Sequence, residues 1–138
     1  MTTLTPSVYS VENAVSTYLA TNWTYTSIRE INKDDAPAIP YIEMYCKPGR
    51  VFELEIGGCG ERSGIIKINI YTAKGVGVQQ GFSYGGKLEE LFWNQDISGV
   101  ICQNESIQPY TEFIGIDEAL QACHHQTTIP FWVLTENS

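Results

Sequence analysis

Hydrophobic positions along the chain switch between a helical and a strand period. Val8, Val11, Val15, Tyr18 and Leu19 recur at helical spacing. They follow Thr5-Pro6, a pair suited to opening a helix. A threonine hydroxyl can accept a free N–H at the cap, and a proline in the first turn has no N–H to orphan. A packing helix ending near Asn22 is expected. Period two then takes over. Tyr25 to Ile31 suits a short strand, and Lys33-Asp34-Asp35-Ala36-Pro37 reads as a loop. From Tyr41 to Lys47, Tyr41, Glu43 and Tyr45 oppose Ile42, Met44 and Cys46, which predicts a strand with at least one buried face. Pro48-Gly49 reads as its closing turn. Val51 to Ile56 and Ile65 to Tyr71 alternate again on either side of Gly57-Gly58-Cys59-Gly60-Glu61-Arg62-Ser63-Gly64. Two such strands predict a β-hairpin with a long, glycine-rich connector.

Gly75-Val76-Gly77-Val78 leads into a second helix, from about Gln79 to Asn94. Gly81, Gly85, Leu88 and Phe92 share one face, with Leu91 beside it. Each helical glycine costs about 1 kcal/mol relative to alanine. Close approach of this helix to the sheet, or to another subunit, is expected to offset that. Short strands are expected at Ile97 to Gln103 and Gln108 to Ile116, with a turn at Asp117 to Leu120. Gln126 to Leu134 closes the chain as a strand whose Pro130 cannot donate to a ladder, so an edge or a bulge is expected there. The fold class is α+β: one domain over residues 1–138, a mixed or antiparallel sheet with a long hairpin, packed by an N-terminal and a central helix.

Composition narrows the function classes. The 138 residues can bury one core, and 43% are apolar. The net charge is −8, and the eight cations are scattered with no two adjacent. Clustered cations drive nucleic-acid binding, so that function is disfavoured. No apolar run approaches the roughly 20 residues that cross a bilayer. Met1 to Ser10 does not read as a secretory signal, and a reducing cytoplasm is expected, with the four cysteines as small core residues.

Candidate chemistry is sparse. Gly75-Val76-Gly77 lacks the third glycine of a dinucleotide fingerprint, because Gln80 stands there. Gly86-Lys87 is followed by Leu88, so no P-loop is present. In Cys123-His124-His125 only Cys123 and His125 can share a strand face, and no cysteine lies at zinc-ribbon or zinc-finger spacing. Cys59 with a histidine as base is the one thiol arrangement open, in a segment with little to lower a thiol pKa. Glu89-Glu90 reads as a solvated helix face. No catalytic, metal or cofactor site is assigned.

Several segments taken together resemble a known family. Ile68-Asn69-Ile70-Tyr71, the turn Gly75-Val76-Gly77, the helix with Leu88, Leu91 and Phe92, and Thr128-Ile129-Pro130-Phe131-Trp132 resemble, in order and length and over most of the chain, phage tail terminator proteins. These are small proteins like the lambda tail terminator, and they include a phage-related family long called a domain of unknown function. The resemblance implies a structural protein of the virion, made in the host cytoplasm and placed at the head–tail junction. It implies a hexameric ring that caps the tail tube, stops polymerisation of the major tail protein and meets a head-completion protein. DNA would pass through without specific binding, and no cofactor, metal or membrane would be involved. The acidic charge agrees with that passage. Glu61 and Arg62, the charged members of the hairpin connector, are the candidate interface residues. The alternatives are another head–tail completion or connector protein, or a monomeric binding module or thiol enzyme using Cys59.

Overall fold

The structure is a computed structural model that describes residues 4–5, 8–30, 38–53, 59–75, 77–102 and 108–137. The elements are β1 (Leu4–Thr5), α1 (Val8–Asn22), β2 (Ser27–Arg29), β3 (Tyr41–Glu53), β4 (Cys59–Ala73), α2 (Gln79–Phe92), β5 (Gln95–Ile97), β6 (Val100–Cys102), β7 (Tyr110–Asp117) and β8 (Ala122–Asn137). Three long strands, β3, β4 and β8, form the spine of one mixed sheet ordered β2-β3-β4-β8-β6-β5. Among the described strands only the β2–β3 pair is parallel. The fold class is α+β, as the hydrophobic pattern predicts.

The strands of the spine alternate cleanly, because successive side chains leave a strand on opposite faces. Ile66, Ile68 and Ile70 of β4, Ile129, Phe131 and Val133 of β8 and Ile42 of β3 face the helices and are buried. Val11, Val15 and Leu19 of α1 and Leu88 and Phe92 of α2 close this core from above. Burying each such side chain is worth about 1.5–3 kcal/mol. The helices also meet each other: the Tyr18 ring packs edge-on to Phe92 at 5.3 Å, and its hydroxyl donates to the Leu91 carbonyl at 2.6 Å.

The glycines of α2 are explained by the sheet. A Cβ on Gly81 would overlap the His125 ring, and one on Gly85 would overlap Thr111. The helix seats its backbone on β7 and β8 where those glycines lie, and that close packing offsets their entropic cost. Gly86 meets nothing within 4 Å and shares no such role.

Four local expectations are corrected. Thr5 is not the α1 cap: it pairs with Glu136 in β1, α1 is helical from Val8, and Pro6 lies outside the described residues. Pro48-Gly49 is not a turn. β3 runs through it to Glu53: Pro48 pairs with Gly64, and the register to β4 shifts just after it, between Pro48 and Val51, by a bulge. The hairpin connector is shorter than predicted: β4 begins at Cys59, and Gly57-Gly58 lie outside the described residues. Pro130 is neither on an outer strand nor in a shifted register. It pairs with Ile65 on one side, while on the other side β7 pairing ends at Thr128 and β6 joins at Trp132. On that side no described strand pairs with Pro130.

Candidate functional site

The two faces of the spine differ in chemistry. Behind the helix-covered face lies a polar face built by register. Glu43 stands opposite Asn69, Asn69 opposite Gln126, Tyr71 opposite His124, and Tyr41 opposite Tyr71. The Glu43 side chain gathers three donors: Asn69 Nδ2 at 3.2 Å and the Tyr71 hydroxyl at 3.3 Å on Oε1, and Arg29 Nη1 at 3.3 Å on Oε2. Asn69 Oδ1 in turn accepts from His124 Nε2 and Gln126 Nε2, each at 2.9 Å. An amide oxygen only accepts, so this contact assigns the proton to His124 Nε2. The His124 ring stacks on Tyr71 at 4.7 Å with a 17° tilt. Beyond Gln126, Lys67 donates to Thr128 at 2.9 Å.

This network is largely buried: Glu43, Asn69 and Tyr71 are each less than a tenth exposed. Burial, opposed by Asp117 and Glu43, holds the His124 pKa below the usual histidine value. Burial and then the Glu43 carboxylate push the Tyr71 hydroxyl up. Both groups are therefore neutral at pH 7 and act as hydrogen-bond donors. The network holds no serine or cysteine, and His124 directs its proton to an amide. What the arrangement can do is fix the shape of a polar surface.

The second feature is an edge. β7 is hydrogen-bonded to β8 on one side, and no described strand pairs with its other side. Its register shifts between Phe113 and Gly115, which makes Ile114 an extra residue and is accommodated by Gly115 at φ 148°. Tyr110, Phe113, Ile114 and Ile116 are 41–48% exposed. Phe82 of α2 joins them: it packs edge-on to His125 at 4.7 Å, and Phe113 covers the same imidazole at 5.1 Å. His125 itself is fully buried under these rings. Neither ring nitrogen has a well-formed hydrogen bond. Burial holds its pKa below the usual value, and the nearby Val78 backbone only partly opposes that.

The residues singled out in the sequence scatter. His124 and His125 point to opposite faces, one in the polar network and the other beneath α2. Cys123 shares the His125 face, but among the described residues no three His, Cys, Asp or Glu side chains gather into a metal site. Cys59 pairs with Glu136, while His125 pairs with Ile70, 11 positions along β8. At about 3.3 Å per residue that is roughly 36 Å, so a Cys59–histidine dyad does not form within one chain. Burial pushes the Cys46 and Cys102 thiols up to about 12. Glu61 and Arg62 are not in a loop: Glu61 pairs with Phe52 and Leu134, and Arg62 with Val51 and Val133, inside β4. Glu89 is not merely solvated, since it accepts from the Thr111 hydroxyl at 3.0 Å.

Sequence reasoning missed the Glu43 network and the β7 edge. Glu43, Asn69 and Gln126 each sit on an alternating strand, yet only register shows that they meet. An isolated glycine inside a strand, here Gly115, was the available signal for a bulge.

No family model matches this chain, and no curated protein matches it. A solved structure without a descriptive name is similar over 95% of this chain and 94% of its own, with a TM-score of 0.54 and 15% identity. That likeness extends the fold to another protein of about the same length.

Proposed function

We propose that this chain is a structural protein of a phage tail, a terminator subunit. It forms a ring on the end of the tail tube, stops addition of the major tail protein and offers the surface that joins a head-completion protein. The reading rests on the resemblance carried, in order, by Ile68-Asn69-Ile70-Tyr71, Gly75-Val76-Gly77, the Leu88-Leu91-Phe92 helix and Thr128-Ile129-Pro130-Phe131-Trp132. In the fold these segments are neighbours: the end of β4, the entry and core face of α2, and the middle of β8.

One structural observation supports an assembly role over a chemical one. Four of the nine exposed large hydrophobics among the described residues, Tyr110, Phe113, Ile114 and Ile116, lie on β7, whose outer side pairs with no described strand, the kind of surface a chain leaves for another chain. The acidic charge suits a ring through which DNA slides without being held.

Light scattering after size exclusion tests the reading, with the chain alone and then mixed with its major tail protein. A sixfold mass in either condition is the expected result. A monomer in both would overturn it.

A further inference from the structure

The two halves of α2 are held in different ways. Its buried residues are Gly81, Gly85, Leu88 and Phe92. The C-terminal half is anchored by the Leu88 and Phe92 side chains in the core and by the Tyr18 hydroxyl on the Leu91 carbonyl. The buried residues of the N-terminal half are two glycines, which place no side chain in the core, and half-buried Tyr84 adds an edge contact to Trp23 at 6.1 Å. Val78 caps the helix without a side-chain hydrogen bond, and the first turn has no acidic residue to face its free N–H groups. These turns therefore depend on what Gly81 rests upon, and that is the His125 ring. We propose that His125 is an acid-sensitive latch: as the neutral ring it holds the first two turns of α2 on the sheet, and when protonated it lets them lift from β7 and β8.

The geometry leaves no place for a charge. The imidazole is fully buried, and neither Nδ1 nor Nε2 has a well-formed hydrogen bond. The Gly81 backbone is so close that a Cβ there would overlap the ring, so no water fits between them. Phe82 and Phe113 close over the rest, at 4.7 and 5.1 Å, and each is itself about two-fifths exposed. A neutral imidazole is tolerated in such a site. An imidazolium brings two N–H donors and a charge that must be paired or hydrated. Water reaches it only past the lid of Phe82 and Phe113, and α2 carries half of that lid.

The groups on the surrounding elements do not supply a counter-charge in place. On β8, Cys123 shares the ring's face and His124 points to the polar face. β4 brings Ile70 and Thr72 to this stretch, and Lys74 beyond its end pairs with Glu118. On β7, Phe113 and Thr111 share the face, while Glu112 and Asp117 pair with Gln126 and Ala122 and so stand on the other. On α2, Lys87 lies over Tyr25, and Glu89 accepts from Thr111 two turns past Gly81, about 12 Å along the helix. The Val78 backbone favours the proton, but burial outweighs it. Once the helix lifts, the same ring is hydrated and takes its proton near pH 6.5. The latch is therefore closed above about pH 7 and weakens by up to about tenfold per pH unit below about pH 6.5. Opening uncovers Phe82, Phe113 and the sheet beneath them. The latch does not depend on the terminator reading.

Hydrogen exchange of the full chain at pH 7.5 and pH 5.5 tests it, read as protection factors so that the intrinsic pH dependence of exchange drops out. At pH 7.5 the amides of Phe82 to Gly85 are expected to be less protected than those of Ile66 to Ile70, because these turns open without the spine. Their protection should fall about tenfold by pH 5.5. The fall should persist in His124→Gln and vanish in His125→Phe, which keeps a ring under Gly81 but takes no proton; His125→Leu is the smaller second variant. The chain has two histidines, so a fall that persists in His124→Gln belongs to His125 even where neither His125 variant folds. Equal protection of the helix turns and the spine at both pH values would overturn the latch, since α2 would then open only with the whole molecule. Wild-type protection that stays level across the range would overturn it too, as would a fall that survives in a folded His125 variant or disappears in His124→Gln.

Discussion

The two faces of the β3-β4-β8 spine are made by the same strands, one residue out of step, yet they are held by different physics. On the helix side, Ile42, Ile66, Ile68, Ile70 and Ile129 are removed from water by α1 and α2. On the other side, Glu43, Asn69, Tyr71, His124 and Gln126 are joined by hydrogen bonds running from strand to strand. The apolar face draws its strength from buried area and tolerates best an apolar side chain of similar volume. The polar face depends on every partner being present, because an unpaired buried polar group costs more than a made hydrogen bond returns.

The contrast predicts a graded set of responses to substitution. Phe92→Ala empties the meeting point of α1, α2 and the sheet, and should cost about 3–5 kcal/mol in urea unfolding. A loss below about 1 kcal/mol would mean that the helices do not share one core. Glu43→Gln keeps the volume but removes the charge that faces Arg29 and holds Asn69 and Tyr71, and should cost about 1–3 kcal/mol. A wild-type urea midpoint in that variant would place the stability of the polar face elsewhere.

Acid should find the histidines next. Both are held below the usual histidine value by burial, His124 on the polar face and His125 under α2. Unfolded histidines titrate near pH 6.5, so as pH falls through that range the unfolded chain binds protons first. Stability should therefore be flat above about pH 7 and fall below about pH 6.5. His124→Gln, which keeps an amide donor for Asn69, should flatten part of that fall. Stability that rises as pH drops through this window would contradict both assignments. The smallest effect on the monomer is expected at the outer side of β7, where Ile114→Thr, at the half-exposed extra residue of the bulge, should shift stability by no more than about 0.5 kcal/mol in urea unfolding.

How much of this was legible in the sequence depended on whether a feature is local. The alternation of Ile66, Ile68 and Ile70 against Lys67 and Asn69 places a strand without further help. The glycines of α2 announced a close approach, and the structure supplies its partners in His125 and Thr111. Local grammar misled where tertiary pairing overrides it. Pro48-Gly49 has the composition of a turn, yet long partners on β4 hold the chain extended through a bulge. Gly60 and Gly64 looked like loop, yet they sit in a ladder between β3 and β8. The Glu43 network and the β7 edge depend on register between residues far apart in sequence. Glu43 and Asn69 are 26 positions apart, and His124 and Asn69 are 55 apart. No window of sequence contains such a pair.

The proposed terminator role requires that this chain end the growth of a tail tube. It is tested most directly by polymerising the cognate major tail protein in the presence of increasing amounts of this chain and measuring tube lengths by electron microscopy. Shorter tubes are expected as the ratio rises, each with a ring of this chain at one end. Tube lengths unaffected at molar excess, with no added density at either end, would contradict it.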